Sequence, residues 1–186
     1  MDDVMIVEMY WQRDEDAISE TTKKYNRYLT KIAYNILADF EDSKESVNDT
    51  YLKAWNSMPP HKPSVLSTYL GKITRQVSID IFRKRSAKKR WGSEYATSLS
   101  ELEECIPNSS DPEQELEAKL LAEIITKWLR TLPTETRNVF IGRYYFMDSI
   151  KEVAKNNNIS ESKTKSMLHR TRTGLKEHLG KEGYTL

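Results

Sequence analysis

Apolar residues recur every three or four positions through most of this chain, the spacing that lines one face of a helix. Tyr25, Tyr28, Leu29, Ile32, Ala33, Ile36 and Leu37 predict an amphipathic helix over about 17–38. Asp42 is then read as a helix cap, with Glu45 at the capping-box position three residues later. Val47, Tyr51, Ala54, Trp55 and Met58 form the inward stripe of this second helix. Pro59-Pro60 ends it, because proline cannot continue a helix and restricts the residue before it. Residues 61–64 read as a loop. A third helix starts near 65 with Leu66, Tyr69, Leu70, Ile73, Val77 and Ile81 inward, and runs into a basic block at 83–90. Three helices with short connections can bury one core.

Periodicity is lost over 91–112, which holds Gly92, several serines and the proline-flanked 107–112 cluster. This reads as a linker, longer than connections inside compact domains usually are. Helical spacing returns with Leu116, Leu120, Leu121, Ile124, Ile125, Trp128 and Leu129. Leu132-Pro133 breaks that helix, Thr134 is placed to cap the next, and Val139, Phe140, Tyr144 and Met147 line it.

Two shorter units follow, over 149–156 and 160–178. Ser149 is placed to cap the first, with Ile150, Val153 and Ala154 inward. Asn156-Asn157-Asn158 supplies a tight turn, because Asn tolerates left-handed backbone. Ile159 plugs the corner and Ser160 caps the last helix, with Thr164, Met167 or Leu168, Thr171, Leu175 and Leu179 inward. Ala154 is the small side chain that two steeply crossing helices need at their contact. This is the pattern of a helix-turn-helix, whose second helix enters the major groove of DNA. Its outward face carries Lys163, Lys165, Ser166, His169, Arg170, Arg172, Thr173 and Lys176. Polar residues near its start can reach base edges, and the cations beyond can hold phosphates.

Charge sharpens the picture. The 186 residues carry 29 bases and 28 acids, so the net charge is only +1, but the signs are segregated. Residues 1–20 are net −6, 83–90 net +6, 99–118 net −7 and 151–181 net +5. Two basic zones separated by an acidic one suggest two contacts with a polyanion. No run approaches the roughly 20 apolar residues of a spanning helix, so membrane insertion is not expected. The acidic start lacks the basic and apolar regions of a secretory signal, which makes a cytoplasmic location the expectation. One cysteine, Cys105, excludes an internal disulfide framework and a thiolate metal cluster.

The expected fold is all-α: a helical domain over 10–90, a flexible acidic linker over 91–112 and a second helical domain over 113–180. Residues 132–140 and Arg143-Tyr144-Tyr145-Phe146, followed by Ser149–Ala154 and Lys163–Arg172, resemble the promoter-reading region four of bacterial sigma factors. Upstream, Tyr28–Tyr34 and Glu41–Trp55 resemble region two. Two regions in this order and at this size are similar to the extracytoplasmic-function (ECF) group of the sigma-70 family.

The resemblance implies a protein that binds core RNA polymerase and directs it to promoters. Region two would grip the clamp helices of the largest polymerase subunit through Asp42, Glu45, Asp49 and Lys53. It would also capture the single-stranded −10 element, with Lys72, Arg75, Gln76, Arg83, Lys84 and Arg85 facing the DNA and the loop at 57–65 placed to take a base. Gln76 stands where many relatives have Asn, and Thr164 where Val is usual. Region four would read the duplex −35 element through Ser160, Lys163, Lys165, Ser166, His169, Arg170, Arg172 and Lys176. An anti-sigma factor is the expected regulator, and the linker acids would mimic nucleic acid in a polymerase channel.

No Gly-x-x-x-x-Gly-Lys phosphate loop exists, and His61, His169 and His178 have no ligand spacing with one another or with Cys105. No cofactor, metal or catalytic activity is expected. Trp11, Trp55, Trp91 and Trp128 read as core or linker anchors. Two other functions fit parts of the pattern: a stand-alone helix-turn-helix regulator, and a helical adaptor that binds acidic proteins.

Overall fold

The computed structural model describes residues 1–86, 93–103, 105–106 and 115–184. Trp91, residues 88–90 of the basic block, the 107–112 cluster and the Leu116 side chain lie outside that description. Every regular element among the described residues is a helix: α1 (Asp3–Trp11), α2 (Asp16–Leu37), α3 (Phe40–Ser57), α4 (Leu66–Ser86), α5 (Glu94–Glu103), α6 (Glu115–Thr131), α7 (Thr134–Tyr144), α8 (Ile150–Asn156) and α9 (Glu161–Lys181). They fall into two compact units, Met1–Ser93 and Glu94–Leu186.

In the first unit α2, α3 and α4 pack on one another and α1 lies on α2. The expected stripe of α2 is inside: Leu29, Ile32, Ala33, Ile36 and Leu37 are buried. Full burial of each Leu or Ile side chain among them contributes about 1.5–3 kcal/mol. The chain leaves α2 through Ala38 in left-handed backbone (φ 50°) and enters α3 through Asp39, whose carboxylate accepts from the Asp42 N–H at 2.9 Å. The cap of α3 is therefore Asp39, three residues before the expected Asp42. Asp42 is a first-turn residue whose carboxylate is buried and ion-paired with Arg85.

The inward face of α4 is also turned relative to the expected one. Leu66, Leu70 and Val77 are buried, but the remaining places go to Thr74 and Ser78 rather than Tyr69, Ile73 and Ile81. The reason is the small-residue seam on α3, where Ser43, Ser46 and Thr50 are fully buried. Backbones can approach closely there, and hydroxyls fill the interface. Gly71 serves the opposite contact: a Cβ there would sit 2.8 Å from the Tyr28 hydroxyl on α2.

The acidic N-terminal stretch, for which no element was expected, forms α1. Ile6, Val7 and Tyr10 pack inward. The Tyr10 hydroxyl donates to Thr21 at 3.0 Å, and Asp3 accepts from Lys24 at 2.7 Å and from Tyr25 at 2.6 Å.

In the second unit α7, α8 and α9 form the centre, with α6 against α9 and α5 against α7. Val139, Phe140, Tyr144, Val153, Met167, Leu168, Leu175 and Leu179 make the core, flanked by Leu121, Ile124, Ile125, Trp128 and Leu129 from α6. Thr134 opens α7 as its first helical residue and makes no capping bond, contrary to its expected role; Pro133 occupies the cap position. The larger difference is α5. Ten residues of the stretch expected to be linker are helical and belong to this unit. Tyr95 and Ser98 are buried, and Leu102, Cys105 and Ile106 join the core.

Candidate nucleic-acid interface and partner face

The helix-turn-helix is built as its residues require. Ser149 and Glu152 close a reciprocal capping box at the start of α8, with Oγ accepting from the Glu152 N–H at 3.3 Å and Oε2 accepting from the Ser149 N–H at 3.1 Å. Asn157 Nδ2 donates to the Val153 carbonyl at 2.8 Å, and Asn158 takes the left-handed conformation at φ 54°. Ile159 turns onto the core and Ala154 is buried. Ser160 Oγ then accepts from the Lys163 N–H at 3.1 Å and starts α9. All of the expected inward residues of α9, Thr164, Met167, Leu168, Thr171, Leu175 and Leu179, are buried.

The opposite face of α9 exposes Lys163, Lys165, Ser166, His169, Arg170, Thr173 and Lys176. Ser160 is exposed beside them. Lys163 makes a surface ion pair with Glu135 at 2.8 Å, which solvent screens and a phosphate can displace. Apart from Glu161 and Glu177, α9 carries no acid, so its outward side is an electropositive strip.

Arg172 departs from this pattern. Its side chain is only 19% exposed and turns off the strip. It donates to the Tyr144 hydroxyl at 2.7 Å and to Glu101 of α5 at 3.5 Å. The same Glu101 accepts from Arg143 Nη2 at 2.9 Å and from the Tyr144 hydroxyl at 2.8 Å. Arg143 is 1% exposed and also donates to Glu94 at 2.6 Å and to the Asp148 carbonyl at 3.0 Å. Burial alone would raise the Glu101 pKa. Hydrogen bonds from Arg143 and Tyr144, with the charges of Arg143 and Arg172, overcome this and hold the carboxyl below the usual range. Burial and the neighbouring Glu101 carboxylate push the Tyr144 phenol well above its usual value, so it stays a neutral donor.

This cluster was not expected from the sequence, although signals for it exist. Arg143 falls in the buried register of Val139, Phe140, Tyr144 and Met147. Glu94, Tyr95, Ser98, Glu101 and Leu102 fall at helical spacing along α5, and Cys105 continues that spacing just past its end.

The first unit presents two surfaces. On α3, Glu45, Asn48, Asp49, Leu52 and Lys53 are exposed along one side, spaced three or four residues apart. Leu52 is 58% exposed among these charges, an apolar residue that the expected contact set lacked. Asp42, expected in that set, is 4% exposed and so is withdrawn from this face.

On α4, Lys72, Gln76 and Arg83 share a face at spacings of four and seven, and all are exposed. Lys84 is exposed and Arg75 is half-buried. Arg85 turns to the other side, where it pairs with Asp42 while its side chain stays 44% exposed. The loop after α3 is braced by α1. Trp11 Nε1 donates to the His61 carbonyl at 3.1 Å, and Lys62 pairs with Glu8 at 3.1 Å. Trp55 lies near Tyr10 and under Arg13, and Trp128 stacks on His178, so these two act as the structural anchors expected of them.

Among the described residues no cluster of three or more His, Cys, Asp or Glu side chains suits a metal ion, and no helix is long and apolar enough to cross a membrane.

The fold of each unit agrees with what comparison finds. The family model for sigma-70 region 2 matches residues 22–88, and that for sigma-70 region 4 matches residues 122–175. The chain belongs to the sigma-70 family, in its ECF group. It is 22% identical over 163 residues to the ECF RNA polymerase sigma factor SigE of Mycolicibacterium smegmatis, an alignment covering 87% of this chain and 61% of that relative. Helices α1 and α5 lie outside both matched spans.

Proposed function

We propose that this protein is a promoter-specificity factor that docks on core RNA polymerase and sets where transcription starts. One observation carries the reading. In a helix-turn-helix, α9 buries its entire apolar side and leaves Lys163, Lys165, Ser166, His169, Arg170 and Lys176 exposed in a strip along the other. Ser160, Lys163, Lys165 and Ser166, near the start of α9, meet base edges of a −35-type duplex. His169, Arg170 and Lys176 hold its backbone.

The first unit supplies the other two contacts. Glu45, Asp49, Leu52 and Lys53 on α3 form the polymerase-binding face, an apolar centre ringed by charge. Lys72, Gln76, Arg83 and Lys84, with Arg75, line the path of the displaced −10 strand. Positive charge there holds the backbone while the loop after α3 receives an unstacked base. The protein works in the cytoplasm, where an anti-sigma factor covers these faces until a signal releases them.

Two variants separate the surfaces. Arg170→Ala should lower use of a cognate promoter about 5- to 150-fold, as loss of a DNA contact worth about 1–3 kcal/mol requires, and leave polymerase affinity unchanged. Asp49→Ala should do the reverse, weakening co-elution with core polymerase while DNA binding by α9 persists. Polymerase affinity that falls with Arg170→Ala and ignores Asp49→Ala would contradict the assignment.

A further inference from the structure

Arg172 occupies a place on α9 that its side chain does not use. At 3.6 residues per turn it lies between the directions of Leu168 and Leu179 on the buried side and those of Lys165 and Lys176 on the exposed strip. A long cationic side chain at that edge can reach the polyanion facing the strip. Instead its guanidinium lies on the Tyr144 hydroxyl at 2.7 Å and near Glu101 at 3.5 Å.

We propose that α5 regulates the DNA-reading helix: Glu101, with Tyr144, parks Arg172 off the DNA face, and release of Arg172 adds one phosphate contact. The inference rests on the reading of α9 as the DNA face.

Three features of the cluster support a movable Arg172 on a fixed base. Glu101 is held firmly from the other side, by two nitrogens of Arg143 at 2.9 and 3.3 Å. Its bond to Arg172, at 3.5 Å, is the longest in the cluster, so Arg172 can leave without orphaning the carboxylate. Arg172 is also partly exposed, at 19%, whereas Arg143 is sealed at 1%. A phosphate at the strip competes with Glu101 for the same guanidinium, since each offers two anionic acceptor oxygens to its forked N–H groups. Because Glu101 belongs to α5, outside the matched region-four span, the segment between the two family regions gains a hold over promoter affinity. Anything that draws α5 away frees Arg172 and strengthens the grip of α9.

The test uses the full chain and a short mixed-sequence DNA duplex, with binding followed by fluorescence anisotropy from about 50 to 200 mM salt. Glu101→Gln removes the carboxylate charge and keeps the shape. It should raise affinity several-fold at low salt and steepen the log–log salt slope by about 0.9, the signature of one more neutralised phosphate. Arg172→Gln alone should leave wild-type binding unchanged. Combined with Glu101→Gln it should erase both the gain and the extra slope, which separates release of Arg172 from simple loss of a nearby negative charge. Tyr144→Phe keeps the buried ring, removes the second anchor and should shift affinity in the same direction as Glu101→Gln.

Arg170→Gln should weaken binding in every background. If Arg170→Gln matters but Glu101→Gln does not alter the slope, or if its gain survives loss of Arg172, parking is wrong and the DNA face stands. If Arg172→Gln alone weakens wild-type binding, Arg172 already contacts DNA and parking is again overturned. If no background binds duplex in an Arg170-dependent way, the DNA face falls and the inference falls with it.

Discussion

Ser46 on α3 and Ser78 on α4 bring their hydroxyls to 2.7 Å inside the first unit, where both are fully buried. One turn along, the single Thr50 hydroxyl proton is shared between the Ser46 carbonyl at 2.8 Å and the Thr74 hydroxyl oxygen at 3.0 Å, and Thr74 in turn donates to the Leu70 carbonyl at 3.0 Å. This seam lets α3 and α4 approach closely. It also fixes which residues of α4 remain outside, Lys72 and Gln76 among them.

The Ser46–Ser78 pair predicts non-additive stability. Ser78→Ala alone leaves the Ser46 hydroxyl buried without its partner and should destabilise by about 1–2 kcal/mol. Ser46→Ala with Ser78→Ala removes both groups and should destabilise by no more than the single change. Urea unfolding of the three variants measures this. Simple addition of two single losses would show that the hydroxyls are not coupled.

Arg143 is the polar centre of the second unit. Arg143→Met keeps volume but leaves Glu94 without its cation and Glu101 with only the more distant Arg172, and should destabilise that unit by about 3 kcal/mol. Arg143→Lys keeps the charge but cannot fork between two carboxylates and a carbonyl, so it should restore less than half of the loss. Denaturation followed through Trp128 fluorescence, with the other tryptophans replaced by Phe, reports on this unit. An Arg143→Met protein as stable as the parent would show that α5 docks by apolar contacts alone.

Glu101 predicts a pH dependence. Its pKa is held below the ordinary value of 4.5, so it binds protons less readily in the folded than in the unfolded chain. Its contribution is therefore complete above pH 4.5 and is lost as pH falls through the lower, folded value. Wild type should exceed Glu101→Gln by about 1–3 kcal/mol near neutrality, and the gap should close on acidification. A gap that stays constant from neutral pH to pH 3, well below the ordinary value, would mean that the Glu101 charge contributes nothing.

The helices that bury a plain aliphatic stripe, α2 and most of α6 to α9, were legible as periodicity. The helix-turn-helix was legible almost residue by residue, because Ser149, the Asn run and Ser160 each have one local task. Two helices were not. In α1, Val4 and Met5 are exposed while Ile6, Val7 and Tyr10 are buried, so apolar residues lie on both sides and no stripe stands out. In α5 the inward positions include Glu94, Ser98 and Glu101, which read as solvated until Arg143 and Arg172 are brought opposite them. The same limit explains Asp42 and Arg85, and the direction of Arg172. A long charged side chain shows its place on a helix, but its heading is set by a partner from another element. Leu52 shows the converse: it has no inward partner, and only its exposure in the fold marks it as part of a face.

The central claim, that the two units act together on polymerase, is tested most directly by run-off transcription with purified core enzyme on genomic promoter fragments. Adding the chain should produce discrete transcripts absent from core enzyme alone, and the chain should co-elute with the enzyme. Asp49→Ala should reduce both signals. A chain that binds duplex DNA through α9 yet neither co-elutes with core polymerase nor changes any start site would contradict it, and would make the protein a stand-alone DNA-binding regulator.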